Sequence, residues 1–141
     1  MAFTLQIGDK APDFQLPDLQ GHMVSLQNYK GRRVLLFFSD PQCGPCDELA
    51  PHLARLSREH ANDGPSIVMV GRGSAEENRL KAQQHGIEFP VLLQDRKWRV
   101  SKAYDILATP AAFLIGENGL IDRNPAVGKD AILALVQNGR A

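Results

Sequence analysis

The sequence predicts an α/β sandwich built on one mixed sheet, and three observations carry that prediction. Two continuous apolar runs, RRVLLFFS over 32–39 and SIVMVG over 66–71, have the length and composition of strands buried on both faces. Segments with apolar residues at helical spacing alternate with them, as layered α/β architectures require. A third run, PAAFLIGENGLID over 110–122, has two apolar stretches about a turn at Glu117–Gly119. That hairpin signal places an antiparallel pair at one side of the sheet. At 141 residues the chain fits a single domain, 1–141, with its core over about 6–138. No internal repeat, low-complexity tract or second domain is visible.

Each element has its own local cause. Residues 3–13 are short and mixed, and DFQLPDLQGHMVSLQNYKG reads as two small strands about a turn at Gly21, with Val24 and Leu26 alternating on the second. After the 32–39 strand a helix is expected from about Cys43 to His60. Cys46, Leu49, Ala50, Leu53 and Leu56 share one of its faces. Pro51 falls inside that helix and is expected to kink it, because proline lacks an N–H and crowds the preceding turn. Asn62, Gly64 and Pro65 end the unit. Beyond the 66–71 strand, Ser74 with Glu77 three residues on forms a capping box that opens a helix through His85, closed by Gly86. FPVLLQD supplies a short strand or extended edge, and a brief helix is expected around Val100 to Tyr104. The last helix runs from Asp130 to Asn138 and is stopped by Gly139.

Composition excludes several classes of function. Sixteen basic and sixteen acidic side chains leave no net formal charge, and no basic run is long enough to track phosphates, so nucleic acid is not an expected partner. No apolar stretch approaches the roughly 18 residues of a membrane span, and MAFTLQIGDKAPDF has no basic region followed by an apolar one. This domain is therefore expected to make no membrane contact of its own. Two cysteines are too few for a disulfide-rich scaffold.

Those two cysteines lie in SDPQCGPCDELAPHL, where strand turns to helix. A structural disulfide, half of a metal site and a working dithiol are all open readings of such a pair. A bridge across so short a loop would constrain the unfolded chain little. Zinc or iron–sulfur sites want about four ligands, and no second cysteine pair exists, while His22, His52, His60 and His85 are scattered. No metal and no cofactor is therefore expected. Cys43 falls at the first helical turn, where unpaired N–H groups and the helix dipole favour a thiolate; Cys46 lies one turn on, toward the buried side. Pro45 suits a first turn because the N–H it lacks would have no helical partner there. The residues tip toward a working dithiol.

CGPC at a strand–helix junction resembles the active site of the thioredoxin fold. The longer run IGDKAPDFQLPDLQG…VSLQNYKGRRVLLFFSDPQCGPCDELAPHL resembles the TlpA/ResA branch of bacterial thiol–disulfide oxidoreductases, related to the AhpC/TSA and redoxin group that includes peroxiredoxins. GIEFPVLLQD, VSKAYDILATPAAFLIGENGLI and the final helix continue the match, so it spans roughly residues 6–138. The resemblance implies a three-layer α/β/α sandwich of thioredoxin type with an N-terminal β-hairpin and, over RGSAEENRLKAQQHG, an inserted helix. It implies exchange of a Cys43–Cys46 dithiol with protein substrates through a mixed disulfide, in the reducing direction, with an upstream thiol–disulfide protein as electron donor. Gly44 and Pro45 between the cysteines, Gln42 before them and the Thr109–Pro110 element would support the site, and the Thr109–Pro110 bond would be cis. It further implies a monomeric bacterial protein outside the cytoplasm, in the periplasm or anchored through a segment upstream, with cytochrome c maturation among the services of its relatives.

The chain departs from the family pattern at several points. Gln42 stands where an aromatic usually precedes the first cysteine. Phe37 and Leu49 occupy the positions of the acids that accept the buried thiol's proton in thioredoxins and in some ResA-like proteins. Asp47 and Glu48 are the nearby candidates for that relay, against the plainer reading of solvated residues in a first helical turn. Ala111 and Ala112 replace common threonines. Arg72, Arg79 and Lys81 could guide an acidic partner, although mixed charge on a helix usually marks a wet face. Trp98 and Tyr104 read as partly buried anchors of the short helix before the Thr109–Pro110 element. A thiol peroxidase remains an alternative, but such enzymes carry Thr or Ser three positions before the reactive cysteine and Pro four before that, where this chain has Asp40 and Leu36. A redox-inert binding or assembly module is the other alternative, and an insulin-reduction assay separates it from an oxidoreductase.

Overall fold

The computed structural model describes residues 3–138, which begin with a small antiparallel hairpin of β1 (Gln15–Pro17) and β2 (Met23–Ser25). Its turn is closed by Asp18, whose main-chain carbonyl accepts from Gly21 N–H at 3.1 Å, and Gly21 takes the left-handed conformation at φ +86°. A 3-10 turn over Leu26–Tyr29 leads to β3 (Val34–Ser39), α1 (Gly44–Glu59) and β4 (Ser66–Gly71). Then follow α2 (Ala75–His85), β5 (Val91–Leu93), α3 (Arg99–Ala103), β6 (Ala111–Ile115), β7 (Ala126–Val127) and α4 (Lys129–Asn138). The expected stop at Gly139 lies outside the described residues.

The second sheet has the order β5-β4-β3-β6-β7. β3 pairs in parallel with β4 and β4 with β5, whereas β6 runs antiparallel to both β3 and β7. All six residues of β3 are buried, as its unbroken apolar run requires. Alternation along the strands divides the core in two. Leu36, Phe38, Val68, Val70 and Phe113 meet Phe14, Tyr104 and Ile106 on one face. On the other, Leu35, Phe37, Ile67, Met69 and Leu114 meet Leu49 and Leu53 of α1 and Ile132, Leu135 and Val136 of α4. This is the mixed-sheet, three-layer arrangement expected, with the N-terminal hairpin joined to the β5 edge through a bridge between Asp18 and Leu92.

Two local expectations concern the 110–122 hairpin and α1. The hairpin about Glu117–Gly119 closes as expected, with Gly116 N–H donating to Leu120 O at 2.8 Å, and its second arm pairs with β6 through an isolated bridge rather than a longer strand. That arm stays beside β6, bridging Ile121 to Ile115 with Asp122 N–H donating to Leu114 O at 2.8 Å, and the N-terminal segment takes its other side: Gly8 N–H donates to Ile121 O at 2.9 Å and Ile121 N–H to Asp9 O at 2.8 Å. Further along the same edge of β6, Ala126–Val127 lines up as a strand opposite Ala112 and Ala111. The second concerns α1, which runs unbroken from Gly44 to Glu59 with Pro51 inside it.

The capping box appears as read, Ser74 Oγ accepting from Glu77 N–H and Glu77 Oε1 from Ser74 N–H, both at 3.0 Å. Gly86 ends α2 in the left-handed conformation. A side chain at Gly71 would collide with Asn78 Oδ1, so the close packing of α2 against the end of β4 requires glycine there.

Tyr104 is almost wholly buried, packs its ring against Phe38 and Phe113, and donates from its hydroxyl to the Pro12 carbonyl at 2.6 Å. Tyr104→Phe keeps the ring contacts and strands that carbonyl, which should cost ~1–3 kcal/mol. Phe113→Ala empties the centre of the same cluster and should cost ~3–5 kcal/mol. Urea melts of both variants against wild type check the ranking.

Candidate active site

The antiparallel register of β3 and β6 places Phe38 opposite Ala111, so the segment leaving β3 lies beside the one entering β6. The first segment turns immediately. Asp40 Oδ1 accepts the Gln42 N–H at 2.8 Å, and the Asp40 carbonyl accepts the Cys43 N–H at 3.1 Å. This turn delivers Cys43, extended at φ −104° and ψ 111°, as the N-cap of α1, with Gly44 and Pro45 exposed in the first turn. Cys43 Sγ accepts from the Cys46 N–H at 3.2 Å, the position a serine oxygen takes at many helix starts.

Cys43 and Cys46 are joined by a disulfide, with Cα atoms 5.2 Å apart. Their surroundings differ. Cys43 is half-buried at the rim, while Cys46 is 2% exposed behind it. The Thr109–Pro110 peptide is cis, and the Thr109 carbonyl oxygen lies 3.5 Å from Cys43 Sγ. Pro110 is buried and Thr109 half-buried. The structure thus gathers Gln42, Cys43, Gly44, Pro45, Cys46, Thr109 and Pro110 at one end of the sheet. Reduced, the pair presents one sulfur beside backbone donors at a helix N-terminus and a second within one helical turn, the arrangement that dithiol exchange needs.

The two acidic residues after Cys46 part company. Glu48 is exposed. Asp47 reaches α2, where Lys81 Nζ sits 2.8 Å from Oδ2 and His85 Nε2 3.2 Å from Oδ1. Partial burial works against the Asp47 charge, but the hydrogen bonds and charges of Lys81 and His85 outweigh it and hold the carboxyl below its usual range. Gln42 also reaches α2, its Nε2 donating to Glu77 Oε2 at 3.2 Å. Sequence reasoning missed these links, since nothing in the local pattern pairs Asp47 with residues 34 and 38 positions on. It also took Arg72 for part of a solvated surface, whereas Arg72 is 7% exposed beneath Trp98.

The AhpC/TSA family model matches residues 7–124 of this sequence. The chain belongs to the AhpC/TSA family. Within that family it is similar to the thiol-disulfide oxidoreductase ResA of Geobacillus kaustophilus, 36% identical over 117 residues, which are 82% of this chain and 67% of the relative. It is similar also to the thioredoxin-like protein YneN of Bacillus subtilis, 36% identical over 121 residues, 83% of this chain and 69% of that one. The thioredoxin domain of a thiol-disulfide oxidoreductase from Bacteroides vulgatus shares the fold, with a TM-score of 0.86 at 23% identity, covering 98% of this chain and 100% of that one. Together with two cysteines bonded at the N-terminus of α1, these relationships identify a thiol–disulfide oxidoreductase of thioredoxin-like fold.

Because the Asp47 carboxyl is held low by its α2 partners, the link contributes stability above the usual carboxyl range and loses it as pH falls through the lowered value. Asp47→Asn should therefore lower stability near neutral pH by no more than ~1 kcal/mol, since the side chain is partly solvated. The gap to wild type should persist above about pH 4 and close below it. Urea midpoints measured from pH 3 to 7, at low and high salt, test both the sign and the screening.

Proposed function

We propose that this protein reduces disulfides in protein substrates, with Cys43 as the attacking thiol and Cys46 as the resolving one. The observation that carries the reading is the asymmetry of the pair. Cys43 stands at the rim, 3.5 Å from the Thr109 carbonyl, and Cys46 is buried behind it. The Cys43 thiolate, favoured by the Cys46 N–H and the helix N-terminus, attacks one sulfur of a substrate disulfide. A Cys43–substrate S–S bond forms, the substrate bond breaks, and the departing sulfur leaves as a thiolate that takes up a proton. Cys46, deprotonated as it attacks, then bonds to Cys43 Sγ and expels the second substrate thiolate. Two electrons pass to the substrate and the protein is left with its Cys43–Cys46 disulfide. A second thiol–disulfide protein, in its dithiol form, restores the cycle by the same steps in reverse order.

The Thr109–Pro110 edge supports this assignment because its backbone faces the reactive sulfur and can pair with an extended substrate segment. Gly44 and Pro45 between the cysteines resemble the reducing members of the family, which favours reduction over oxidation. The final direction depends on the potentials of the partners, about 30 mV per 1.4 kcal/mol for this couple. Asp47 and Glu48 remain the acidic side chains nearest in sequence to Cys46, and Asp47, held charged by Lys81 and His85, would serve a proton relay only through those partners. Peroxide chemistry lacks support at the positions that would carry it: Leu36 is buried in β3 and Asp40 is engaged in the turn to Gln42. Residues 1–141 would act as one monomeric domain. Among the described residues no helix is long and apolar enough to cross a membrane. By its TlpA/ResA resemblance we place the protein outside the cytoplasm of a bacterium, with cytochrome c maturation among the processes it would serve.

Cys46→Ser keeps the attack and removes the resolving step, so it should accumulate mixed disulfides with a protein disulfide substrate such as insulin, visible on non-reducing gels and by mass spectrometry. Cys43→Ser should accumulate few. Alkylation of the reduced protein near neutral pH should label Cys43 first. Preferential labelling of Cys46, or trapping by Cys43→Ser alone, would reverse the assignment.

A further inference from the structure

Arg72 follows β4 directly, and its backbone is fixed from two sides. Its N–H donates to Ser39 O at 3.1 Å, and its carbonyl accepts from Asn78 Nδ2 at 2.7 Å. The side chain turns inward. Nη2 donates to the Leu107 carbonyl at 2.6 Å, Nη1 lies 3.9 Å from Asp40 Oδ2, and the guanidinium stacks 4.1 Å from the centre of the Trp98 ring. Nε is buried with no partner among the described residues. Burial opposes the charge and Asp40 only partly offsets that, so stability alone gives little reason for an arginine here.

The surroundings are nonetheless shaped to hold it. Trp98 adopts the left-handed conformation at φ +54°, a costly one for a large side chain, and in doing so carries its ring over the guanidinium. Asp95 fixes that turn, its Oδ1 accepting from Lys97 N–H at 3.0 Å and Arg99 N–H at 3.3 Å. Leu107, by contrast, is 62% exposed, so the carbonyl bond from Arg72 anchors a loop whose side chain adds little packing.

The two segments that Arg72 joins are those that make the site. Asp40 sets the turn to Cys43, and Leu107 lies two residues before Thr109, whose carbonyl faces Cys43 Sγ. We propose that Arg72 is a positioning residue that fixes the gap between Cys43 and the Thr109–Pro110 edge, and so governs exchange with polypeptide disulfides laid along that edge. The proposal rests on the functional reading above and adds to it a residue that touches neither sulfur. A substrate paired to the edge presents its disulfide at a distance set by the loop, and misplacement by about 1 Å can cost on the order of a hundredfold in rate. A small disulfide that makes no use of the edge senses only the thiolate. The planar fork of arginine reaches both Leu107 O and Asp40, which a lysine ammonium cannot reproduce.

The test compares stoichiometric exchange of the reduced protein with insulin and with bis(2-hydroxyethyl) disulfide, for wild type, Arg72→Met and Arg72→Lys. Both variants should lower the insulin-to-small-disulfide rate ratio on the order of tenfold. Trp98→Gly keeps the left-handed backbone accessible, removes the stack, and should lower the same ratio by about threefold while leaving Arg72 in place. The small-disulfide rate reports within each variant on whether the dithiol is still assembled. Equal losses on both substrates would mean that Arg72 acts through thiol reactivity or folding, and would overturn the proposal. So would an unchanged ratio, or a full rescue by Arg72→Lys. Wild-type protein that reacts with neither substrate would overturn the oxidoreductase reading itself, and the role of Arg72 with it.

Discussion

The pairing of β3 with β6 is the constraint on which the site depends. β3 is buried along its whole length and held on both sides, parallel to β4 and antiparallel to β6. Because β6 runs the other way, its first residue sits opposite the end of β3, with Ala111 across from Phe38. A parallel partner would have brought the far end of the neighbouring strand to this place. The antiparallel register alone lets a turn leaving one strand and a turn entering the other share an edge, and Cys43 and Thr109 occupy that edge. A slip of β6 by one residue against β3 would turn Phe113 out of the layer it shares with Phe38. The register that fills both layers is therefore the one that assembles the site.

The layers differ in how they are fastened. α1 and α4 bury apolar faces against the sheet, whereas the only fully buried residue of α2 is polar, Asn78. A helix without an apolar stripe needs other anchors. Asn78 Nδ2 donates to the Arg72 and Ser74 carbonyls, Arg79 to the Leu19 carbonyl, and Lys81 and His85 engage Asp47. Two of the elements that α2 holds, the Gln42 side chain and the first turn of α1, border the disulfide. The inserted helix is thus a polar brace on the active-site end of the fold, and solvent and salt reach its contacts more readily than they reach the core.

Elements with a local cause were legible in the sequence. The 66–71 strand and the Ser74–Glu77 capping box stand where the apolar run and the Ser/Glu spacing put them, because burial and a reciprocal cap are decided within a few residues. The central strand starts later than its apolar run suggested, at Val34, since Arg32 belongs to the preceding turn and stacks on Tyr29. The 110–122 hairpin was legible too, its arms meeting at Ile115 and Ile121, but the partners on its outer side, Gly8 and Asp9, lie at the other end of the chain and no local signal names them. The same distinction holds at the site. CGPC announces its chemistry in four residues, while the role of Arg72 depends on Asp40, Trp98 and Leu107, which only the tertiary fold brings to it. The one local signal was an arginine set directly after a buried strand, too common a pattern to single it out.

The absence of an acid at Phe37 and Leu49 bears on how the two cysteines divide their work. Both side chains are fully buried in the core layer between α1 and the sheet, and Cys46 is buried as well. Burial in apolar surroundings disfavours a thiolate, whereas the Cys46 N–H and the open helix N-terminus favour one at Cys43. In the proposed mechanism the same short helical turn therefore offers two unlike sulfurs, one at the rim to attack and one buried behind it to resolve. Once Cys43 is in a mixed disulfide, its sulfur becomes an electrophile within one helical turn of Cys46, and closing the ring restores the geometry in which the Cys43 sulfur caps α1. In the proposed mechanism resolution is thus driven by proximity, without a buried carboxylate to take the proton. That makes the geometry of the rim, set by the Asp40 turn on one side and the Thr109 carbonyl on the other, the main determinant of which disulfides the protein can reach.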